Sequence, residues 1–570
     1  MPCRPRPQLP DLVWALLACV CAARVVMAFR LALRCWVGRP VMPLLPTSSL
    51  AWVETIAANE HTAMTVGDDR NQGYDVIVVG GGNAALCAAL TAREEGAKVL
   101  LLECAPKEER GGNSSFTEGL MRFVYNGSED IRALSPDLTP DELASDFGRY
   151  TEDKFFDDMA RVTQNRTDPD LCEILVKQSN AAMHWMRSQG VRFLPQFGRQ
   201  AFKVDGKFTF WGGATLAAVG GGRGLVDQLY RAAEKAGVHI RYKAWVRDLI
   251  HSDAGVTGVV VKMDRDTVEI SAKSVILACG GFEANAAWRA RHLGPGWDLA
   301  KVRGSKFNCG DGLDMALRIG AQPAGHWSGC HAVGWERYAD DFGSFETMDD
   351  YERDNYPFSI MVNSEGKRFL DEGADIRNYT YAKYGRIILQ QPDQFAWQIF
   401  DSSVTHMLRP EYRARRVTKV TANSIEELAD KLEDVNRDAL IETIRAYNAA
   451  ITRDVPFSPN VKDGRRTEGL AIPKSNWAVA LENPPFEAYA VTCGITFTFG
   501  GLKVTTEAQV LDTQHRAIPG LFTAGEMLGG LFFFNYPGAT GLTSGAVFGR
   551  IAGRNAARAA VGNRAAVNVA

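Results

Sequence analysis

Two kinds of residue in this chain could do chemistry. One is a glycine-rich turn able to hold a charged cofactor. The other is a small set of cations and hydroxyls standing alone in apolar stretches. In the turn, Gly80, Gly82 and Ala85 fit the spacing G-x-G-x-x-G/A, and Glu103 follows 23 residues after Gly80. Gly80 allows a tight turn, Gly82 lets backbone approach a pyrophosphate, and Ala85 permits a helix to pack close to a strand. Gly81, Asn83 and Ala84 complete a helix N-terminus whose N–H groups and dipole favour an anion. Glu103 can accept from both ribose hydroxyls of an adenosine. Strand, turn, helix, strand and acid in that order predict dinucleotide binding.

The isolated residues lie downstream. Arg122 in GLMRFVY sits beside Leu120, Met121 and Phe123, where a charge calls for a carboxylate ligand or a structural ion pair. His331 has His326 and Cys330 close by in GHWSGCHAVG, but three candidates without a fourth ligand do not make a zinc site, so no metal is expected. Arg377 lies in KRFLDEGADIRNYT. With a pKa of about 12 or higher it is a poor base, yet between Glu372 and Asp375 it could relay a proton or form a plain salt bridge. Tyr536 in FFFNYPGATG could donate a hydrogen bond or pack against Phe532–Phe534.

The elements that must position these residues can be read around them. The β-branched run Val76–Val79 suits a buried parallel strand. A helix from Ala84 to about Glu95 stops at Gly96, and Lys98–Leu102 forms the second strand. After Glu103, Gly111, Gly112, Asn113 and Ser114 make a segment for which a nicotinamide domain has no use; an FAD fold runs it along the pyrophosphate and flavin. SVILACGGFEAN is a strand that leads into Ala278, Gly280 and Gly281, where bulk would meet the cofactor. IPGLFTAGEMLGG is a strand leading into Gly525 and Glu526, and Gly541 and Leu542 open the last helix. Val246 follows another predicted strand, either where backbone meets adenine or on a sheet edge. Arg223 after three glycines lacks the following Gly-Lys-Ser/Thr of a triphosphate loop. Residues 424–451 have the helical spacing of one or two amphipathic helices.

Composition sets the outer limits. In 570 residues, Lys+Arg 64 against Asp+Glu 67 leave no basic excess for a nucleic-acid backbone. Apolar residues at 46% and charged residues at 23% describe a globular chain. The 11 cysteines contain no CxxC pair, which argues for reduced thiols, a cytoplasmic setting and no iron–sulfur cluster. Residues 1–63 differ from the rest, with six Arg, no Lys and three acids. They are expected to be an extension or start-site artefact outside the fold, a membrane-associating segment, or a secretory signal with a poor cleavage site. Their longest uncharged apolar run, Leu12–Ala23, is shorter than the ~20 residues a spanning helix needs.

The strings GGGNAALCAALTARE, GGNSSFTEGLMR, FWGGATLAAVGGGRGLV, FGGLKV and NYPGATGLTSGAVFGRIAG resemble the flavoprotein family of fumarate reductases, succinate dehydrogenases and ketosteroid 1-dehydrogenases, from Tyr74 to about Ala560. Within it the chain looks most like tricarballylate dehydrogenases. The resemblance implies an α/β fold: a Rossmann-like FAD-binding domain over 74–325 and 498–560, interrupted by an α+β capping domain over 326–497. It also implies hydride transfer to FAD N5 from a carboxylate substrate, with tricarballylate giving cis-aconitate. Arg377 would be the proton shuttle, allowing one inserted residue, and His331 a substrate ligand. Asn113 replaces the histidine that tethers FAD in succinate dehydrogenases, so FAD is expected to be non-covalent. Electrons would pass to a separate acceptor, such as a membrane iron–sulfur protein, with the enzyme cytoplasmic or peripheral at the inner face of the membrane. Two departures weaken a fumarate-type reading: Tyr536 stands where fumarate reductases clamp substrate with arginine, and Thr496-Phe497-Thr498 replaces His-His-Thr. Tyr536 followed by Pro-Gly matches ketosteroid dehydrogenases, so an enone dehydrogenase or reductase is the alternative. The flavin subunit of a corrin-ring oxidising system is another.

Overall fold

The computed structural model describes residues 73–204, 206–210 and 213–567. The expectations for residues 1–63 lie outside the described residues.

β1 (Tyr74–Val79) is buried along its whole length, as its apolar run requires, and leads into helix α1 (Asn83–Glu94). The chain returns as β2 (Val99–Leu102), parallel to β1. β3 (Asp266–Leu277) joins the other side of β1 in parallel, some 160 residues after β2. β6 (Ala517–Thr523) joins β3, again in parallel. The sheet order is Gln509–Leu511, β6, β3, β1, β2, His239–Arg241. An antiparallel extension of Ala244–Ser252 and Gly255–Met263 is attached to β3. Because β1, β2, β3 and β6 run in parallel, their C-terminal ends open on one edge, where ligands bind in open α/β sheets.

The last helix, α2 (Thr540–Val567), covers α1. Gly545, Gly549 and Gly553 recur every fourth residue on the face that meets α1. A Cβ at Gly553 would lie 2.2 Å from the Ala88 carbonyl, so only glycine allows this approach.

A second sheet of six strands is organised around β5 (Phe486–Leu502). Along one stretch β5 pairs antiparallel with β4 (Pro323–Glu336), and along another with Ala396–Phe400. Both β4 and β5 run across the sequence positions expected as domain limits, 325/326 and 497/498, without a break. The β4–β5 register slips between His331↔Phe497 and Ala332↔Ile495. Such an irregularity re-aims side chains locally, and here it falls beside the cleft described below. The 424–451 stretch forms two helices, Ile425–Lys431 and Arg437–Ala449, packed on the second sheet.

Candidate functional site

One long cleft runs along the C-terminal edge of the parallel strands and continues under the second sheet. Its first half is mostly backbone. Gly80, Gly81, Gly82, Asn83 and Ala84 line it after β1, Ala278 and Gly280 after β3, and Gly525 and Glu526 after β6. Gly112, Asn113, Ser114, Val246, Gly541 and Leu542 complete the wall, and Glu103 closes it beyond β2. Gly80 has a φ of 113°, and a Cβ there would lie 2.3 Å from the Ala278 carbonyl, so the turn tolerates no side chain. Three predicted residues stand behind the wall. Ala85 packs in the core, the Gly111 N–H donates to Glu103 Oε2 at 3.4 Å, and Gly281 abuts the Glu526 carboxyl.

The chemistry of this half suits a dinucleotide. α1 begins with no side-chain cap from Gly82 and no acid in its first turn; its Asn83 N–H donates to Ser114 Oγ at 3.1 Å, and its positive dipole end faces the cleft. Glu103 is buried, and burial pushes its pKa up against the pull of the Ala105 and Gly111 N–H groups. Ala105 N–H donates to its Oε1 at 2.9 Å, which fixes the carboxyl at the end of β2. Asn113 is held on both sides: its amide donates to Glu283 and, at 2.6 Å, to the Thr496 carbonyl, while its Oδ1 accepts from Ser305 N–H at 2.7 Å. A cradle of glycine backbone, a helix N-terminus with no acid in its first turn and a buried acid fit the pyrophosphate and ribose of FAD.

The other half is built from side chains. His331, Arg377 and Tyr536 all line it, together with Arg303, Glu352, Asp354, Asn378, Tyr381, Arg409 and Phe497. His331 is buried, and neither ring nitrogen has a hydrogen-bond partner among the described residues. Tyr381, Tyr536 and Phe497 surround it with ring centroids 5.0, 5.1 and 5.4 Å away. Burial, helped by the nearby Arg303 charge, drives its pKa well below the usual value, so the imidazole is neutral. The Tyr381 and Tyr536 hydroxyls are hydrogen-bonded to each other.

Three arginines are knotted into carboxyls here. Arg303 pairs with Asp349 at 2.8 Å and lies 3.9 Å from Glu352. Arg377 Nη1 is 3.3 Å from Asp354. Arg409 meets Asp354, Glu118 at 2.7 Å, Glu411 at 3.2 Å and Glu352 at 3.4 Å. Burial raises the acids: Asp349 to about 7, Asp354 to about 8, and Glu352 upward, against the pull of the arginines.

Two sequence expectations change here. Glu372 and Asp375 are not the partners of Arg377. Glu372 is spent on Arg368 and on the Met361 N–H at 2.8 Å, and Asp375 pairs with Arg161 and with Lys462 at 3.6 Å. The chain folds so that acids 23 and 25 residues upstream face the guanidinium instead. Arg122 does not line the cleft. It lies beneath it, donating from Nε to the Gly538 carbonyl at 2.7 Å, with its guanidinium 4.8 Å from the Tyr150 ring. Arg303, Arg409, Glu352, Asp354 and Tyr381 escaped the sequence reading. They come from four distant segments, Glu352 and Asp354 sharing one and Tyr381 opening a helix, and carry no shared spacing; only the isolation of Arg409 before a proline, in MLRPEY, offered a signal.

A family model for the FAD binding domain matches residues 75–542. A probable fumarate reductase of Shewanella frigidimarina is 30% identical over 85% of this chain and 75% of that protein. A 4-oxocyclohexanecarboxylate 2-dehydrogenase of Sinomonas cyclohexanicum is 30% identical over 86% of this chain and 94% of that one. The open conformation of a flavocytochrome c3 fumarate reductase superposes with a TM-score of 0.66 at 26% identity, covering 92% of this chain and 85% of that one. Among the described residues no helix is long and apolar enough to cross a membrane. The chain belongs to the FAD-binding flavoprotein family of fumarate reductases and their relatives, and is an FAD-dependent oxidoreductase.

Proposed function

We propose that this protein oxidises or reduces a carbon–carbon bond next to a carbonyl group, and that the Tyr381–Tyr536 hydroxyl pair grips the carbonyl oxygen. The observation that carries this reading is the pair itself, a buried phenol (Tyr536) and a half-buried one (Tyr381) joined at their hydroxyls on the wall of the cleft beside a neutral histidine. Phenolic donors suit an oxygen that gains negative charge as the adjacent carbon loses a proton. Bound FAD supplies the two-electron hydride acceptor or donor. Arg377 lies between the cleft and Asp354, and its guanidinium passes a proton to the carboxyl group while remaining charged overall. Asp354, Glu352 and Glu411 around Arg409 extend that route. Phe497 and Phe532 exclude water from the reacting face. Arg122 orients the Gly538–Ala539 turn after Tyr536.

The charge balance supports a carbonyl at the reacting end. Arg303, Arg377 and Arg409 are tied to five carboxyls, Glu118, Asp349, Glu352, Asp354 and Glu411. A polycarboxylate would add negative charge where carboxyls already exceed arginines. A second reading, oxidation of tricarballylate to cis-aconitate, draws on the three arginines and His331 lining one end of the cleft. It requires Asp349, Glu352 and Asp354 to be protonated so that the arginines are released, which their raised pKa values favour.

The same reading divides the chain into a flavin-binding part, 74–325 with 498–560, and a cap, 326–497. It holds FAD without a covalent bond, since Asn113 stands in the tethering position and its amide is fully engaged. Electrons leave to, or arrive from, a separate redox partner. Anaerobic titration of the bound flavin tests the substrate class. Cyclic ketones and keto acids should bleach it, while tricarballylate and succinate leave it oxidised. Bleaching by tricarballylate alone would replace this reading with the second. Acid precipitation should free all the FAD; yellow precipitate would contradict the non-covalent attachment.

A further inference from the structure

In the cofactor half of the cleft, a carboxyl behind the wall meets one on it, and the redox chemistry above uses neither. Glu283, in GGFEAN after β3, is fully buried. Its Oε1 accepts from Asn308 Nδ2 at 2.7 Å and from Asn113 Nδ2, and both asparagines line the cleft. Its Oε2 has no donor among the described residues. The carboxyl facing it is Glu526, in the turn after β6. Glu526 Oε1 accepts from the Thr498 N–H at 2.6 Å and from the Thr498 hydroxyl at 2.9 Å.

The cation facing Glu283 is Arg289, and its guanidinium is spent on backbone carbonyls: Glu283 itself, Trp297 at 2.8 Å, Asp298 at 2.9 Å and Ala300 at 3.2 Å. The other titratable groups facing Glu283 are the Cys309 and Cys330 thiols, which burial holds protonated. A fully buried carboxyl and a half-buried one side by side, with no free cation among the described residues to offset them, cannot both ionise. Burial pushes Glu283 well above the carboxylate range, and the Glu526 charge adds to this; burial raises Glu526 as well.

One proton resolves the arrangement. Carried on Glu283 Oε2, it gives the orphaned oxygen a bond to make, and Glu526 supplies the acceptor. We propose that Glu283 and Glu526 share a single proton as a built-in part of the FAD site. The shared proton keeps the pair at one negative charge beside a cofactor whose pyrophosphate is itself anionic. It also fixes the side chains of Asn113 and Asn308 against the cleft. This inference rests on the FAD assignment and is independent of the substrate.

The test is infrared spectroscopy of the FAD-loaded protein with carboxyl-labelled glutamate at neutral pH. A label-sensitive C=O stretch of protonated carboxyls should be present, and the wild-type-minus-Glu283→Gln difference spectrum should contain one such component. The variant should also keep FAD within about threefold of the wild-type dissociation constant, because an amide can donate as the protonated acid does. Absence of the band in wild-type protein would overturn the proposal, as would a difference spectrum with no protonated-carboxyl component lost in Glu283→Gln, or a loss of FAD beyond tenfold. Should Glu283→Gln not fold, Glu526→Gln decides. There the Glu283 O–H loses its carboxylate acceptor, so the band must shift; an unshifted band overturns the pairing.

Discussion

At the Val246 end of the cleft the walls are glycine and alanine backbone, one buried acid and a helix N-terminus with no acid in its first turn. At the His331 end they are arginines, carboxyls and phenols drawn from segments spread between residues 303 and 536. The first end recognises a ligand that never changes, so its geometry can be cast into the turns that close three parallel strands. The second must accept a substrate, move a proton and release a product. Its groups are therefore side chains whose charges are balanced against one another. Substitutions should separate the two ends cleanly: cofactor retention should respond at one, and single-turnover chemistry at the other.

The largest effect is expected at Arg377. Arg377→Ala should load FAD normally, since the cofactor wall contains none of its contacts. Its flavin-reduction rate in stopped flow should fall by about 10²–10⁴, with substrate affinity down about ten- to a hundredfold. Arg377→Lys should recover little, because a point charge does not replace the planar fork. A wild-type rate with only weaker binding would make Arg377 a binding residue.

Glu103→Ala inverts the pattern. It removes charge-assisted bonds worth about 1.5–3 kcal/mol each, so FAD should bind about ten- to a hundredfold more weakly. Protein that stays loaded should still react at the wild-type rate. Unchanged FAD retention would move the ribose site elsewhere.

A subtler separation comes from pH. Asp354, raised to about 8 by burial, must be ionised to accept a proton during substrate oxidation. The reduction rate should therefore climb as pH rises through about 8 and level off above it, and Asp354→Asn should flatten that limb. The stability sign runs the other way. Between the ordinary carboxyl value and about 8 the folded state binds the extra proton, so the contribution of this group to stability falls as pH rises.

How much of this the sequence disclosed follows the same division. β1, α1, β2 and the glycine turns of 80–82, 278–281 and 525–526 were readable because backbone geometry demands particular residues at fixed spacings. His331 and Tyr536 were found through local strings and do line the cleft. The partners of Arg377 were not readable. Glu372 and Asp375 are near it in sequence, but the fold turns them to Arg368 and Arg161 and brings up Asp354 and Glu352. Arg122 was noticed as an odd charge, yet whether a buried guanidinium faces a ligand or a carbonyl below the cleft depends on the turn after Tyr536, 416 residues away. Long-range ion pairing leaves no periodic trace in a chain.

The smallest effect should come from the acid that proximity alone suggested. Asp375 is a partly exposed partner of Arg161 and Lys462, so Asp375→Asn should change stability by less than about 1 kcal/mol and leave flavin reduction at the wild-type rate. A large rate loss would restore it to the proton route.

The central claim is that the phenol pair at the His331 end handles the reacting carbonyl. Single-turnover flavin reduction of Tyr536→Phe, with a ketone substrate that bleaches the wild-type flavin, tests it most directly. Removing one of the two donors should slow reduction about a hundred- to a thousandfold while the FAD content stays unchanged. Reduction at the wild-type rate would contradict the account, because the pair would then be packing and the carbonyl would be held elsewhere.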